Sequence, residues 1–404
     1  MSTKKKILFV IHRLEVGGAE KSFVSLLNAL PLEQFDVYVK AQKPNGMFRK
    51  YVPECADVSE LPNDYICMAE RITGRNFWRH VTLRTLLLKV MCIICCTLRG
   101  KDSKRRMNRE QYYNEFWKKH FRDVPGHYDV VVSYMDCVNH YVIDHVDADR
   151  KILWCHNDYN KLDYVADYDR PYYGKAYRIC TISEICRQSL VENFPEYKDK
   201  FEVVENISSS RMIESQAEML DEINAADDGF LEDSRFKIVS LGRLTEQKGF
   251  DYAVDAAKIM KERGLSFCWY ILGIGYSEND LKNQARRNDV TDVIKFVGVR
   301  ANPYPYIKRA DLFVIPSRFE GKSIALDEAK ILCKPIVATK YPSVSDALED
   351  GKNGVLVNMD ARSIADGIQA LYGDEAKRNA LREYLKNDNC SNEEEVVNKF
   401  MSLV

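Results

Sequence analysis

Short apolar runs alternate with amphipathic stretches along most of this chain. The first run, KKILFVIHRL, is followed by GGAEKSFVSLLNAL and then by FDVYVKAQ, which predicts a strand, a loop entering a helix, and a second strand. Runs of the strand type recur at YDVVVSYM, RKILWCH, YRICTIS and FEVVEN. Strands that alternate with helices in this way are typical of a parallel sheet, so the first part of the chain is predicted to be a doubly wound α/β domain.

A second series of the same kind follows an acidic, weakly apolar stretch. Its predicted strands are FKIVSLGRL, FCWYILGIG, VIKFVGV, ADLFVIPS and KPIVATK. We therefore predict a Rossmann-like domain over residues 1–207, an interdomain region over 208–234, a second Rossmann-like domain over 235–385, and a C-terminal helix over 386–404 that packs back on the first domain. Ligands of such domains collect beyond the carboxyl ends of the strands, so a cleft between the two domains is the expected site.

One segment, residues 71–109, departs from this alternation. It sets eleven basic residues against the single acid Asp102, around the run TLLLKVMCIICCTL. The basic residues are Arg71, Arg75, Arg79, Arg84, Lys89, Arg99, Lys101, Lys104, Arg105, Arg106 and Arg109. The run is shorter than the ~20 residues of a membrane span, but an apolar face with basic flanks is typical of a helix lying on an anionic membrane. A core helix with solvated ends is the alternative; the one-sided charge favours the membrane.

Bulk composition narrows the classes of protein. A length of 404 residues suits two domains, and a net charge of −1 argues against a nucleic-acid partner. The start, MSTKKK, runs directly into an apolar strand without a small-residue cleavage site, so a cytoplasmic location is expected, peripheral at the inner face of the cytoplasmic membrane. The twelve cysteines are scattered through apolar runs, which predicts reduced thiols.

The stretch PSRFEGKSIALDEAKIL carries the strongest chemical pattern. It places Glu320 in a loop after a predicted strand, and Ser323 at the N-cap of the next predicted helix. The N–H groups of Gly321, Lys322, Ser323 and Ile324 are predicted to form an anion site of the kind that binds phosphate. Glu328 lies more than one turn further along and can accept two hydrogen bonds from a vicinal diol such as a ribose. This order of groups fits a nucleotide sugar.

Two cations and several glycines extend this predicted site. Arg243 and Lys248 bracket a short strand–helix loop, where both can converge on a diphosphate. Turns in which backbone can approach a nucleotide are predicted at Gly17 and Gly18 in the first domain and at Gly273 and Gly275 in the second.

Together these residues resemble the group 1 class of retaining glycosyltransferases (family 4), whose two-domain α/β fold is called GT-B. The family's E-x7-E motif matches Glu320 and Glu328, and its R-x4-K pair matches Arg243 and Lys248. GGAE matches the glycine-rich loop, His156 the strand-end histidine, and Asn206 the asparagine before the domain crossing. Lys322 and Cys333 depart from the common pattern.

The resemblance implies roles for these residues. Glu320 would bind sugar hydroxyls and favour the oxocarbenium charge, Glu328 would hold the ribose, and Arg243 and Lys248 would stabilise the departing diphosphate. The implied catalytic set is Glu320, His156, Arg243 and Lys248. The implied donor-binding set is Gly17, Gly18, Arg243, Lys248, Gly275, Val299, Glu320, Gly321, Lys322, Ser323, Ile324 and Glu328. Asp158 and Asn206 are candidates for acceptor binding.

The function predicted on this basis is a retaining transfer of a hexose from a nucleotide-diphosphate sugar. A UDP-sugar is the favoured donor, and a lipid-linked or growing glycan in surface polysaccharide or capsule synthesis is the acceptor. No cofactor and no metal are expected. The alternatives are a nucleotide-sugar epimerase or hydrolase on the same fold, and a non-catalytic partner that binds nucleotide sugars.

Other interpretations of single residues remain open at this stage. Glu328 could be a solvated residue paired with Lys330 or Lys334, His156 an interior histidine, and Arg243 and Lys248 surface charges. Asp158 and Asp163 could simply start the next helix. The strings Asp147-Ala-Asp149 and Asp167-Tyr-Asp169 resemble the motif of metal-dependent transferases, but neither follows a convincing buried strand.

Overall fold

The computed structural model describes residues 4–15, 17–99, 107–226, 228–320, 323–388 and 390–404. The chain divides into two compact units. The first comprises Met1–Ile207 and Glu394–Val404, and the second comprises Ser208–Glu393. Each unit contains a parallel sheet with flanking helices, which confirms the predicted α/β class.

In the sheet of the first unit, strands extend to both sides of the first strand, so the direction of winding changes there. Its strands are β1 (Lys5–Arg13), β2 (Phe35–Lys43), β3 (Asp57–Glu60), β4 (Val124–Ser133), β5 (Val146–Cys155), β6 (Arg178–Thr181) and β7 (Phe201–Val203). They pair in parallel in the order β3-β2-β1-β4-β5-β6-β7. The sequence did not predict β3, because this edge strand, DVSE, is only partly buried and has no apolar run.

The C-terminal helix packs on the first unit, as predicted. The helices of this unit are α1 (Gly18–Ala29), α2 (Asn63–Ala69), α3 (Arg75–His80), α4 (Leu83–Arg99), α5 (Arg109–Trp117), α6 (Asn139–His145), α7 (Ala166–Lys175), α8 (Glu184–Asn193) and the last helix of the chain, Glu393–Met401. In that last helix, the Phe400 ring stacks on Phe9 of β1 and on Trp154 of β5. Lys399 also pairs with Glu202 of β7 at 2.5 Å.

Helix α4, inside the segment 71–109, has two unlike faces. On one face Thr85, Lys89 and Cys92 are buried, while on the other Leu83, Leu87, Val90, Met91 and Ile94 are exposed. Lys89, counted among the surface cations, instead donates to the Met68 carbonyl at 2.5 Å, and burial lowers its pKa to about 8.

Residues 100–106 lie outside the described part of the chain. Within the described residues, no helix combines the length and apolarity needed to cross a membrane.

The second unit repeats the strand order of the first. Its strands are β8 (Phe236–Leu241), β9 (Phe267–Leu272), β10 (Ile294–Gly298), β11 (Leu312–Ile315), β12 (Ile336–Thr339) and β13 (Val355–Val357), in the order β10-β9-β8-β11-β12-β13. The short edge strand β13 was not predicted. The helices are α9 (Ser210–Ala217), α10 (Asp221–Ala226), α11 (Phe250–Glu262), α12 (Glu278–Arg287), α13 (Tyr304–Arg309), α14 (Ile324–Ile331), α15 (Ala361–Tyr372) and α16 (Glu375–Asn387).

Residues 208–234, the predicted interdomain region, contribute to the core of the second unit. This stretch includes α9 and α10, and Ile213, Ala217, Ile223 and Phe230 are buried in the core of the second unit. Phe230 packs against the rings of Tyr270 and Tyr306. A few well-spaced apolar residues are enough to dock two short helices, although the average composition of the stretch is polar.

Candidate active site

The predicted donor residues lie where the second sheet reverses its order. Strands β8 and β11 are neighbours, with Phe313 in register with Val239, and the rest of the sheet extends away on either side. Loops that leave the carboxyl ends of two such strands diverge in opposite directions and leave a crevice, which is the usual ligand site of an open α/β sheet. The loop after β8 carries Arg243 and Lys248, and the loop after β11 carries Glu320.

The two motifs meet directly in an ion pair. Lys248 Nζ lies 2.6 Å from Glu320 Oε1, and the Ser317 hydroxyl donates to the same oxygen at 2.6 Å. The two side chains are 16% and 6% exposed, so the pair is largely withdrawn from water. Burial of a carboxylate is costly unless a cation and a hydrogen-bond donor compensate it, and both are present here. Lys248 therefore has a partner that the sequence did not predict.

A second ion pair joins the loop after β11 to the start of α11. Arg318, two residues before Glu320, binds Asp251 with two hydrogen bonds of 2.7 and 2.6 Å, and its guanidinium stacks on the Tyr252 ring at 4.1 Å. The hydrogen bonds to Asp251 raise the pKa of Arg318. Its backbone N–H also donates to the Gln247 carbonyl at 2.8 Å. Sequence reasoning missed this clamp; the only signal was an arginine in PSRFE, beside the motif glutamate.

Glycines allow these loops to approach so closely. Gly249 has φ of 63°, and a Cβ there would lie 2.0 Å from the Pro316 carbonyl oxygen after β11. A Cβ on Gly275 would lie 2.1 Å from the Leu244 carbonyl oxygen. The LGIG turn therefore supports the backbone of the Arg243 loop. This is a structural reason for Gly275, separate from its predicted contact with a nucleotide.

Arg243 follows β8 and Val299 follows β10, two strands of the sheet that are separated by β9. Arg243 is exposed, and no ion pair or side-chain hydrogen bond joins it to the rest of the described chain. Val299 directly follows β10 and is partly buried. Arg243 is thus available to a ligand, whereas Lys248 is engaged with Glu320.

Helix α14 begins where the sequence predicts it, but its N-cap differs from the expectation. Ser323 occupies the N-cap position, yet its side chain accepts no capping hydrogen bond, and its Oγ is buried without a partner in the described residues. Ile324 is the first helical residue. The predicted anion-site residues Gly321 and Lys322 lie outside the described part of the chain.

Glu328 is a buried carboxylate of α14. Its side chain is 1% exposed, and the Tyr304 hydroxyl lies 3.4 Å from Oε1. The alternative of a solvated residue paired with Lys330 or Lys334 is wrong, because Lys330 pairs with Asp388 and Lys334 donates to the Ala310 carbonyl.

The glycine-rich loop of the first unit contains a carboxylate of its own. Gly17 is the extended N-cap of α1, and a Cβ on it would lie 2.2 Å from Glu20 Oε2. Burial raises the pKa of Glu20. Gly18, the first residue of α1, is exposed. The space above Gly17, predicted for a ligand, holds the Glu20 side chain in this structure.

His156 follows β5 and is held as a neutral ring. Its Nε2–H donates to the Tyr134 carbonyl at 2.9 Å, and the ring stacks on Trp154 with an interplanar angle of 9°. Burial lowers the pKa of His156 to about 4. The ring can therefore orient a ligand through Nδ1, but it is not a proton donor near neutral pH.

The acceptor candidates have mainly local contacts. Asp158 accepts from the Asn160 N–H at 3.1 Å and caps a short 3-10 turn, and Lys161 lies 3.4 Å from it. Asp163 adopts a left-handed conformation with φ of 57°. Asn206 lies in the irregular stretch after β7.

Neither aspartate string forms an open metal site. Asp147 and Asp149 both face His127 on the surface, while Asp169 is buried with its carboxylate 2.7 Å from His140 Nε2. Within the described residues, no group of three His, Cys, Asp or Glu side chains is arranged to hold a metal ion.

Comparison with known proteins agrees with this geometry. Residues 222–388 match the family described as "Glycosyl transferases group 1". The amylovoran biosynthesis glycosyltransferase AmsK of Erwinia amylovora is 34% identical over 151 residues, which cover 35% of this chain and 37% of AmsK. The chain thus spans a little over a third of that relative's length.

Solved structures share the fold over nearly the whole chain. HepE of Anabaena, in complex with UDP-glucose, matches with a TM-score of 0.62 and 16% identity, covering 99% of this chain and 98% of HepE. TarM of S. aureus, solved with fondaparinux, alpha-GlcNAc-glycerol and UDP, matches with a TM-score of 0.64 and 13% identity over 99% of both chains. The fold is GT-B, and residues 222–388, most of the second unit, match the group 1 glycosyltransferase family.

Proposed function

We propose that this protein is a retaining glycosyltransferase that moves a hexose from a UDP-sugar to a lipid-linked or growing glycan in surface polysaccharide synthesis. The observation that carries the proposal is the meeting of Lys248 and Glu320 at the switch point of the second sheet. The name of AmsK, a biosynthesis glycosyltransferase, and the UDP-glucose bound by HepE support the class of acceptor and of donor.

In this proposal Glu320 acts on the sugar and the cations act on the diphosphate. The charge of Glu320, held in place by Lys248 and Ser317, faces the positive charge that develops on the sugar ring as the bond to phosphate breaks. Arg243 is free to bind the diphosphate, and Lys248 can share its ammonium between the carboxylate and a phosphate oxygen. Glu328 binds the ribose in this scheme, which requires the nucleotide to enter far enough to meet a buried side chain.

Retention follows if the acceptor attacks from the leaving-group face. The bond from the anomeric carbon to the acceptor oxygen forms as the bond to the phosphate oxygen breaks, and the acceptor proton passes to the departing diphosphate. Because the leaving group is itself the base and is met by protein cations, we expect neither a metal nor a cofactor to be required.

The direct experiment is incubation with UDP- and GDP-hexoses, with release of the nucleoside diphosphate followed over time. Slow release from one donor, with the anomeric configuration of the product retained by NMR, is the expected result. Lys248→Met should abolish release, whereas Lys258→Met, which changes an exposed lysine of α11, should not. Release that depends on manganese after EDTA treatment would contradict metal independence. If no nucleoside diphosphate is released and UDP does not bind, the proposed donor class is wrong.

We also propose that the outer face of α4 binds the anionic inner face of the cytoplasmic membrane. The exposed apolar residues of α4 recur at helical spacing and form one stripe. They are Leu83, Leu87, Val90, Met91 and Ile94, and each is between 41% and 76% exposed. The exposed cations Arg71, Arg75, Arg79 and Arg84 precede or flank it. An apolar stripe beside cations is complementary to anionic lipid, where each cation contributes about 1 kcal/mol near the surface.

Sedimentation with vesicles tests this membrane proposal. The protein should pellet with phosphatidylglycerol vesicles at low salt and be partly released at high salt, because screening removes the electrostatic part. Leu87→Ser combined with Ile94→Ser should remain in the supernatant, whereas Thr97→Ala, an exposed polar change on the same helix, should behave like the parent. Equal pelleting with neutral vesicles at high salt would contradict the proposal. A dimer in solution that is lost in the variant with both serine substitutions would also contradict it, because the stripe would then be a dimer interface.

A further inference from the structure

The first unit contains a polar pocket that the proposed donor chemistry does not use. It has a volume of about 830 Å³ and lies beyond the carboxyl ends of β2 and β3, closed by the segment that carries α2 and α3. Gln42 and Lys43 end β2, Glu60 ends β3, and Glu70 and Asn76 come from the helical segment. The pocket therefore lies at the edge of the sheet where α/β units bind ligands.

A fixed network of amides and charges forms one wall of this pocket. Glu70 Oε1 accepts hydrogen bonds from Gln42 Nε2 at 2.9 Å and Asn76 Nδ2 at 3.1 Å, and lies 3.1 Å from Lys43 Nζ. Burial works to raise the pKa of Glu70, but the contacts with Asn76, Lys43 and Gln42 outweigh it, so the pKa is lowered. The carboxylate is thus charged and held in one orientation.

Acceptor atoms remain available in this wall. All three contacts of Glu70 use Oε1, and no described group donates to its Oε2. Gln42, which is 3% exposed, has a buried Oε1 with no hydrogen-bond partner in the described residues. A buried acceptor without a donor carries a desolvation penalty, which a ligand hydroxyl can relieve. Two such oxygens in a pocket lined with amides fit the hydroxyls of a sugar.

The rim adds an aromatic face and two cations, all on α3. Trp78 is 56% exposed, although the other three tryptophans of the chain, Trp117, Trp154 and Trp269, are buried. Arg75 and Arg79, one helical turn apart, are exposed, and neither forms an ion pair with the described residues. An indole offers an apolar face to a sugar ring, and paired guanidinium groups suit a phosphate or diphosphate.

Along the chain, the rim helix α3 is followed by a helix with an exposed apolar face. Helix α4 follows α3 after two residues, and the exposed stripe that starts at Leu83 therefore begins close in sequence to Trp78 and Arg79. Hydroxyl acceptors, unpaired guanidinium groups and an apolar stripe follow one another in the order found in a glycosyl diphosphate lipid. Such a molecule carries sugar, diphosphate and hydrocarbon in a row.

From this arrangement we infer that the pocket binds the head group of a lipid diphosphate-linked sugar acceptor. The sugar hydroxyls bind Glu70 Oε2 and Gln42 Oε1, the ring lies on Trp78, and the diphosphate binds Arg75 and Arg79. The inference rests on the proposed function in one respect, since it names the acceptor of that reaction. It also specifies which residues distinguish a lipid-linked acceptor from a free glycan.

The tryptophan content of the chain allows a direct test, because Trp78 is the one exposed indole among four. Three probes are titrated while fluorescence is followed: farnesyl diphosphate, a panel of methyl hexosides, and farnesyl diphosphate bearing N-acetylglucosamine. Farnesyl diphosphate should change the fluorescence, the glycosylated probe should bind about tenfold more tightly, and Trp78→Phe should abolish both signals.

Matched variants separate the parts of the pocket. Arg75→Gln and Arg79→Gln should each weaken binding of both diphosphate probes by about tenfold, whereas Arg150→Gln, an exposed arginine of β5 outside the pocket, should not. Glu70→Gln should weaken binding of the glycosylated probe but not of farnesyl diphosphate. UDP titration into the same samples reports the donor site independently. If UDP binds but no probe changes the fluorescence, or Arg150→Gln weakens binding as much as Arg79→Gln, this inference fails while the proposed function stands.

Discussion

The two sheets of this protein have the same strand order, but the ionisable groups at their carboxyl edges differ. In the first, β1 and β4 are neighbours; in the second, β8 and β11 occupy the equivalent positions. At the second switch point a carboxylate and an ammonium meet at 2.6 Å. At the carboxyl edge of the first, burial raises the pKa of Asp136 to about 6 and lowers that of His156 to about 4. Topology brings loops together in both units, but among the described residues only the switch point of the second sheet holds a carboxylate and an ammonium in direct contact.

This difference teaches where transition-state charge can be stabilised. Groups that burial pushes toward neutrality can orient a ligand, but they contribute little field to a developing charge. A carboxylate that is held in place by Lys248 and Ser317 can act on such a charge at once, without reorganisation. The second switch point is therefore the better candidate for the chemical step.

The largest effect is expected from a substitution that prevents the close approach of the two loops in the second unit. Gly249→Ala places a methyl group 2.0 Å from the Pro316 carbonyl oxygen at a left-handed φ, so we expect the free energy of unfolding to fall by about 4 kcal/mol. Gly264→Ala has φ of 76° but no atom within 4 Å, and should lose only about 1 kcal/mol. Urea unfolding of both variants measures this. Equal losses would mean that the close approach of the loops does not hold the site together.

The next prediction compares the glutamates of the two units. Glu320→Gln removes the compensated charge and should slow sugar transfer or donor hydrolysis by at least about 100-fold, close to 3 kcal/mol. Glu20→Gln, in which burial already raises the pKa of the carboxyl group, should change the rate by less than about threefold. Steady-state rates with the identified donor provide the measurement. A similar loss in both variants would remove the distinction between the two units.

A third prediction concerns the neutral histidine of the first unit. Because the folded-state pKa of about 4 lies below the ordinary value of 6.5, the unfolded chain binds this proton first. Stability should therefore fall by about 2 kcal/mol as the pH drops from 6.5 to 4, after allowance for solvent screening. The difference in unfolding free energy between the parent and His156→Gln, measured over this range, isolates the effect. A flat difference would mean that His156 is protonated in the folded protein.

The smallest predicted effect concerns the exposed cation of the second unit. Arg243→Ala should weaken binding of UDP by about tenfold, or 1.4 kcal/mol, because one charge-assisted contact to the diphosphate is lost. Arg287→Ala, an exposed arginine on α12, serves as the control. Isothermal titration of UDP into both variants decides the point. An unchanged affinity in Arg243→Ala would leave Lys248 as the remaining candidate cation.

Much of the second unit could be predicted because its strands are buried apolar runs and its motifs lie at strand ends. Glu320, Arg243 and Lys248 all lie on loops where the pattern placed them. The contact between Lys248 and Glu320 could not be predicted, since 72 residues separate them. Only the pairing of β8 with β11 makes them neighbours. The Arg318–Asp251 clamp was missed for the same reason, because neither residue shows its partner locally.

The sequence by itself determined the two α/β units, most of their strands, and the resemblance of the second unit to the group 1 glycosyltransferases. These follow from local patterns: strand periodicity, glycines at turns, and charged residues at fixed spacing in one loop. Tertiary structure alone decided which charged side chains are buried. Glu328 is buried, Lys89 is turned inward, and Glu20 fills the space above Gly17, although each is written in the sequence as an ordinary charged residue. The physical reason is that the ionisation and accessibility of a side chain depend on the groups that folding packs around it, and those groups come from distant parts of the chain.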